Sequence, residues 1–175
     1  VFYKWSNVVV FLDNRMTEIK RQDFNTVSPF ENVGFAGTSK DRSLWIYNID
    51  FNQLELYDYR QNKAIAKSLP INETILDMKN NFNLCYLKTY EGVLVYNIYG
   101  SLVKYLKIKG VELIDLFKNQ LLVYADNEMK VFDKDFNLKY SIKTDKLEGK
   151  NIFFAGEILY IYDKNKIIIY NILSK

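Results

Sequence analysis

The sequence predicts an all-β chain, a β-propeller of four-stranded antiparallel blades, on three observations. Strand-forming residues dominate, with 14 Tyr and 12 Phe inside an aromatic content of 16% and abundant Ile and Val beside them. An apolar residue, an aromatic and Asp or Asn recur together at Leu56-Tyr57-Asp58, Val95-Tyr96-Asn97, Val131-Phe132-Asp133 and Ile169-Tyr170-Asn171. Their aromatics lie 39, 36 and 38 residues apart, and a degenerate copy, Val10-Phe11-Leu12-Asp13, sits 46 residues before Tyr57. Upstream of each clear copy runs a second apolar stretch ending in Tyr: Leu44–Tyr47, Leu84–Tyr86, Leu121–Tyr124 and Ile158–Tyr160. Two features locked to one period of roughly 40 residues, each period holding four short strands, point to propeller blades.

One domain over residues 1–175 is expected, divided into blades at 1–27 (partial), 28–71, 72–110, 111–149 and 150–175 (partial). The first unit offers strands Phe2–Trp5, Val8–Leu12 and Met16–Phe24. The second offers Val33–Thr38, Leu44–Ile49, Leu54–Tyr59 and Ala64–Leu69. The third offers Ile75–Asn81, Asn83–Thr89, Val93–Ile98 and Leu102–Ile108, separated by Asn80-Asn81, Glu91-Gly92 and Gly100-Ser101 as turn residues. The fourth offers Glu112–Phe117, Leu121–Ala125, Met129–Phe132 and Leu138–Ile142, and the fifth Ile152–Phe154, Ile158–Tyr162 and Ile167–Leu173. Because the last unit lacks a fourth strand and the chain opens at Val1 inside a strand-like segment, we expect N-terminal residues beyond those given and a full ring of six or seven blades.

The second and third strands of each unit are nearly continuous apolar runs, as a blade clamped between two neighbours requires, because both of its faces are buried. The fourth strands instead carry Lys20 and Arg21, Lys63 and Lys67, Lys104 and Lys107, and Lys139 and Lys143. Lysine on an outermost strand blocks edge-to-edge pairing, so the periodic positive charge reads as rim protection. A helical solenoid is excluded by the lack of sustained 3.6-residue periodicity. A β-sandwich or barrel competes on strand count but leaves the fourfold return of the aromatic-Asp/Asn feature unexplained.

At these strand ends a family resemblance enters. Leu56-Tyr57-Asp58 and its three later copies resemble the strand-ending Trp-Asp of WD40-type propellers, with Tyr or Phe in place of Trp. The buried His-containing network common in that family has no counterpart, since the chain contains no His; the resemblance therefore implies a diverged bacterial propeller. In composition, and in the stretch from Phe11-Leu12-Asp13-Asn14-Arg15 to Leu44-Trp45-Ile46-Tyr47-Asn48, the chain is also similar in style to exported propellers of Bacteroidota, some of which belong to outer-membrane or secretion assemblies.

Zero His excludes Ser-His-Asp and Cys-His catalysis and mixed Cys/His zinc sites, and the single Cys85 excludes an intrachain disulfide. Cys85 itself lies on an apolar strand and reads as a buried thiol. The stretch Ser28–Lys40 holds two Gly and Thr38-Ser39-Lys40, but neither the spacing nor the order of a phosphate loop. Asp133-Lys134-Asp135-Phe136-Asn137 opens like a calcium loop, yet Leu138 and Thr144 stand where such a loop needs Gly and Glu, so turn chemistry is the better reading. Asn72-Glu73-Thr74 matches a glycosylation acceptor, an unremarkable match in an Asn-rich chain. No catalytic, cofactor-binding or metal residues are assigned, and no cofactor is expected.

What remains is surface. Trp5, Trp45, Tyr90 and Tyr99 lie near strand ends or turns, and Arg15, Arg42 and Arg60 flank turns; aromatics and Arg concentrate at interaction hot spots, and these seven form the candidate contact surface. A net charge of +3 is too mild for a nucleic-acid binder, and no apolar run reaches the roughly 20 residues that span a bilayer. The expectation is a non-enzymatic protein–protein interaction scaffold, a subunit of a bacterial cell-envelope or secretion complex in the periplasm or at the outer membrane, with any membrane association arising through partners or an N-terminal anchor. The alternative is a carbohydrate-active or lyase-type propeller enzyme, which would need convergent carboxylates with raised pKa in a channel.

Overall fold

The recurring Asp or Asn is a turn cap. In the computed structural model, which describes residues 1–144, 150–155, 158–163 and 166–171, Asp13 Oδ1 accepts the backbone N–H groups of Arg15 and Thr17 at 2.8 and 2.9 Å. Asn97 Oδ1 accepts those of Tyr99 and Ser101, and Asp133 Oδ1 those of Asp135 and Asn137, in the same i+2 and i+4 pattern. Asp58 Oδ1 accepts Arg60 and Gln61 in a slightly longer turn. The third residue after each of the first three caps is left-handed: Met16 at φ 64, Gly100 at φ 78 and Phe136 at φ 63. A short side-chain acceptor at the strand end satisfies two otherwise orphaned N–H groups, which is why only Asp and Asn occur there. The calcium-like run at 133–137 is one such turn.

Each turn joins the last two strands of its meander. The first sheet is β1 (Phe2–Tyr3), β2 (Val8–Leu12) and β3 (Glu18–Asp23) in that order, with a 3-10 turn over Lys4–Ser6 between β1 and β2. The second is β4 (Val33–Thr38), β5 (Ser43–Asn48), β6 (Gln53–Asp58) and β7 (Lys63–Lys67). The third is β8 (Asp77–Asn80), β9 (Leu84–Lys88), β10 (Gly92–Asn97) and β11 (Leu102–Lys107). The fourth is β12 (Val111–Phe117), β13 (Gln120–Ala125), β14 (Glu128–Phe132) and β15 (Leu138–Lys143); the fifth is β16 (Lys150–Ala155), β17 (Ile158–Asp163) and β18 (Lys166–Asn171). All pairings are antiparallel between sequence neighbours, with Trp45 opposite Leu56 and Tyr96 opposite Cys85. The chain is therefore all-β, an incomplete β-propeller of four-stranded blades, with three strands in the first and last sheets among the described residues.

The expected boundaries shift at strand ends, where turns and links replace ladder pairing. Trp5 is in the 3-10 turn rather than on a strand, Met16 is in the β2–β3 turn, and Leu69 and Ile75 lie in the link from β7 to β8. Residues 172 and 173, expected to extend the last strand, lie outside the described residues.

Two compact units divide the chain: residues 1–89 with 93–106, and residues 90–92 with 107–175. In the first unit, one apolar layer joins the first and second blades through Val9, Phe24, Leu44, Ile46 and Tyr57. Phe24 meets the Tyr57 ring edge-on at 5.1 Å. A second layer joins the second and third blades through Trp45, Leu54, Leu56, Cys85, Leu87 and Leu94. In the second unit, Leu122, Tyr124, Met129 and Val131 pack on Leu159 and Ile161. Both faces of β5 and β6 are thus covered, as their unbroken apolar sequences require. The rim lysines Lys63, Lys104, Lys107, Lys139 and Lys143 are exposed on the outer strands.

Candidate functional site

The seven predicted contact residues separate. Trp45 is corrected: it is 1% exposed, sits in the layer between the second and third blades, and its Nε1 donates to the Asn81 carbonyl at 3.1 Å. Its position on β5 alternates toward the third blade, and an indole is too large an apolar body to leave in water when a neighbouring blade can cover it. The other six are exposed. Arg15, Arg60 and Tyr99 lie in turns between the last two strands of their sheets and Arg42 in the β4–β5 turn. Trp5 lies in the β1–β2 turn and Tyr90 in the β9–β10 turn, at the opposite end of their own sheets. Arg42 and Arg60 converge on Asp58, where backbone donation from Gln61 and Arg60, with the two guanidinium charges, holds the carboxyl below its usual range.

Trp5 is the outlier, 99% exposed on a 3-10 turn with no buried side chain. Its neighbour Lys4 forms one lip of a cleft of about 510 Å3 in the first unit. The β5–β6 turn supplies Ile49 and Asn52 to the lining, and the link from β7 to β8 supplies Ile71 to Ile75. The Ile71 N–H donates to the Asn52 carbonyl at 2.7 Å, and Tyr47 Oη to Asn52 Oδ1 at 3.3 Å, tying link, turn and strand together. Gly34 on β4 lets the wall close, since a Cβ there would lie 2.8 Å from Ile49 Cγ1. Glu73 is the one carboxylate lining the cleft; Tyr105 Oη donates to its Oε2 at 3.2 Å. Lys4 Nζ stands over the Phe35 ring, 5.4 Å from its centroid. Burial raises the Tyr47 and Tyr96 hydroxyl pKa values, with the Glu73 charge adding to the effect at Tyr96. Phe51 on the β5–β6 turn and Leu69 in the link from β7 to β8 are exposed apolar side chains that do not line the cleft.

A second constellation was hidden from the sequence reading. Glu31 and Glu55 are both buried carboxylates near the layer between the first and second blades. Asn48 Nδ2 donates to Glu31 Oε2, Asn7 Nδ2 donates to the Glu31 carbonyl, and Lys67 Nζ donates to Glu55 Oε1 at 3.0 Å. Desolvation first, and then the Glu55 charge, raises the Glu31 pKa. Desolvation and the two glutamates push the Tyr57 hydroxyl up to about 12. Glu55 Oε2 and Tyr57 Oη have no hydrogen-bond partner among the described residues. The signal available in sequence was a single charged residue, Glu55, within the apolar run Leu54-Glu55-Leu56. These carboxylates line none of the described clefts, so the enzyme alternative gains no channel from them. No group of three or more His, Cys, Asp or Glu that could hold a metal occurs among the described residues. The Gly-containing stretch before Lys40 is likewise accounted for: Gly37 leaves room for Asn80 of the third blade, whose Nδ2 donates to the Thr38 carbonyl.

No family model and no curated protein matches the chain. Among solved structures it is similar to KlHsv2 with loop 6CD replaced by a Gly-Ser linker, with 8% identity and a TM-score of 0.72 over 90% of this chain and 54% of that one. It is also similar to two computationally designed proteins, each at 14% identity over 78% of this chain. Ika8 matches over 44% of its own length with a TM-score of 0.60, and Ika4 over 89% with a TM-score of 0.61. The chain spans about half the length of the KlHsv2 structure. At such identities the likeness establishes the fold alone: all-β, propeller-like, built from four-stranded antiparallel sheets.

Proposed function

We propose that this chain is a non-enzymatic protein-interaction module that docks its partner at the Trp5 end of the first unit. The observation that carries the reading is Trp5 itself. An indole fully in water costs roughly 2 kcal/mol or more of unrealised burial, so covering it is a ready source of binding free energy. The adjacent cleft is lined by Asn52, Asn72 and Thr74 together with the apolar Ile49, Ile71 and Ile75, the mixture of apolar and hydrogen-bonding groups found at protein interfaces. The strand-end resemblance to WD40-type repeats supports an interaction scaffold. The likeness in style to exported Bacteroidota propellers supports a bacterial cell-envelope or secretion complex as its setting. No helix among the described residues is long and apolar enough to cross a membrane.

A photo-crosslinking amino acid placed at position 5, with position 65 on the outer face of β7 as control, tests the reading in native envelope extract. One discrete adduct from position 5 and none from position 65 is expected, and Trp5→Ala should abolish co-purification of that adduct's protein. Identical ladders from both positions would overturn it.

A further inference from the structure

We propose that the cleft beside Trp5 is a receptor for one basic side chain, a lysine or arginine presented on an extended segment of the partner, and that Lys4 fills this position when the partner is absent. The inference rests on the docking reading above and names the chemistry of the docked segment. Glu73 supplies the negative charge, half-buried and oriented by the Tyr105 hydroxyl at 3.2 Å. Phe35 and Tyr47, with ring centroids 6.4 Å apart, supply aromatic faces in the same wall. A carboxylate beside aromatic rings suits a cation, because ring quadrupole and carboxylate attract the same charge.

The cleft already accommodates one such group. Lys4 Nζ lies 5.4 Å from the Phe35 centroid, so an alkylammonium reaches this wall without rearrangement of the rings. Lys4 belongs to a three-residue 3-10 turn that buries no side chain; the turn backbone is held by the Asn7 N–H donating to the Lys4 carbonyl and by Asn25 Nδ2 donating to the Ser6 carbonyl at 2.8 Å, so the Lys4 side chain can swing out while the turn stays in place. The amides of Asn52 and Asn72 and the hydroxyl of Thr74, which line the cleft, match the backbone groups of an extended chain. With a net charge of +3, long-range steering does not favour a cation, so selectivity must come from Glu73 at short range.

Anisotropy titrations of the whole chain with fluorescein-labelled pentaglycine peptides carrying a central arginine, lysine, norleucine or glutamate test this. The arginine and lysine peptides should bind and the norleucine and glutamate peptides should not. Glu73→Gln should weaken arginine-peptide binding about tenfold or more, and Lys4→Met should tighten it about threefold or more, by removing the internal competitor. Near-ultraviolet circular dichroism checks folding, and if E73Q does not fold, K4M with the peptide series decides alone. Equal binding of norleucine and arginine peptides, preference for the glutamate peptide, or weaker binding by K4M would each overturn the proposal. Failure here with a discrete adduct from position 5 leaves the docking reading standing; basic-peptide binding without an adduct has the opposite meaning.

Discussion

At position 16 a methionine occupies left-handed backbone, φ 64, where the equivalent turn of the third blade has Gly100 at φ 78. An L-residue in that region carries strain of about 1–2 kcal/mol, while glycine costs about 0.5–1 kcal/mol more chain entropy. Met16→Gly should therefore stabilise the chain by about 0.5–1 kcal/mol. Gly100→Ala should destabilise it by about 2–4 kcal/mol, because strain adds to a collision of the new Cβ with the Lys67 backbone carbonyl. Urea unfolding of the two variants checks the pair, and shifts of equal sign would contradict the turn geometry. The caps were legible at this scale, since Asp and Asn at a strand end before a turn have one dominant use. Trp5 and Trp45 were not separable: both are indoles near turns, and only the packing of a second blade distinguishes the buried one from the exposed one.

Strands β6 and β7 carry the main departure from a purely apolar blade. Glu55 is fully buried, and its cation comes from Lys67 on the outer strand, one of the lysines read from sequence as rim protection. That reading holds for the exposed ammonium groups of Lys63 and Lys104 but is incomplete for Lys67, whose Nζ also lies 5.9 Å from the Phe51 ring centroid. Removing one partner of a buried pair leaves an uncompensated charge, a loss of about 3–5 kcal/mol when both are buried; with Lys67 partly exposed, about 2 kcal/mol is expected for Lys67→Met. Glu55→Met alone should be close to neutral, and the double variant should recover most of the Lys67→Met loss. A double-mutant cycle measured by chemical denaturation checks this; additive losses would mean that the pair does not couple. Strand identity was legible here, but pairing across the hairpin was not, because register between Glu55 and Lys67 depends on the bulge between Leu56 and Tyr57.

For the molecule as a whole, stability should depend on pH in both directions. Turn carboxylates such as Asp58, held low mainly by backbone N–H donors, contribute stability that is present above their unfolded pKa and lost as pH falls through their depressed values. Glu31 has the opposite sign. Its raised pKa contributes stability that is present below its unfolded pKa and lost as pH rises through the folded one. Tyr57 repeats that sign at alkaline pH: in the unfolded chain it ionises near its ordinary value of 10, while the fold holds it neutral to about 12, so stability drains away between the two. Tyr57→Phe removes this linkage, and its hydroxyl has no partner to lose. The variant should match the parent near neutrality and unfold at higher pH in an alkaline titration followed by circular dichroism. An unchanged alkaline midpoint would show that Tyr57 is not the linked group.

The sequence by itself determined the blades, their period, the capped turns and the lysine-bearing outer strands, because these are local: a turn chooses its cap and an edge strand its charge from neighbouring residues. Only the tertiary structure decided that Trp45 is core while Trp5 stands in water, that Glu31, Glu55 and Tyr57 share a buried polar cluster, and that Lys4 and Glu73 meet one cleft. Those side chains come from positions 4 to 73 and are brought together by blade-on-blade packing, a long-range arrangement that no local pattern encodes.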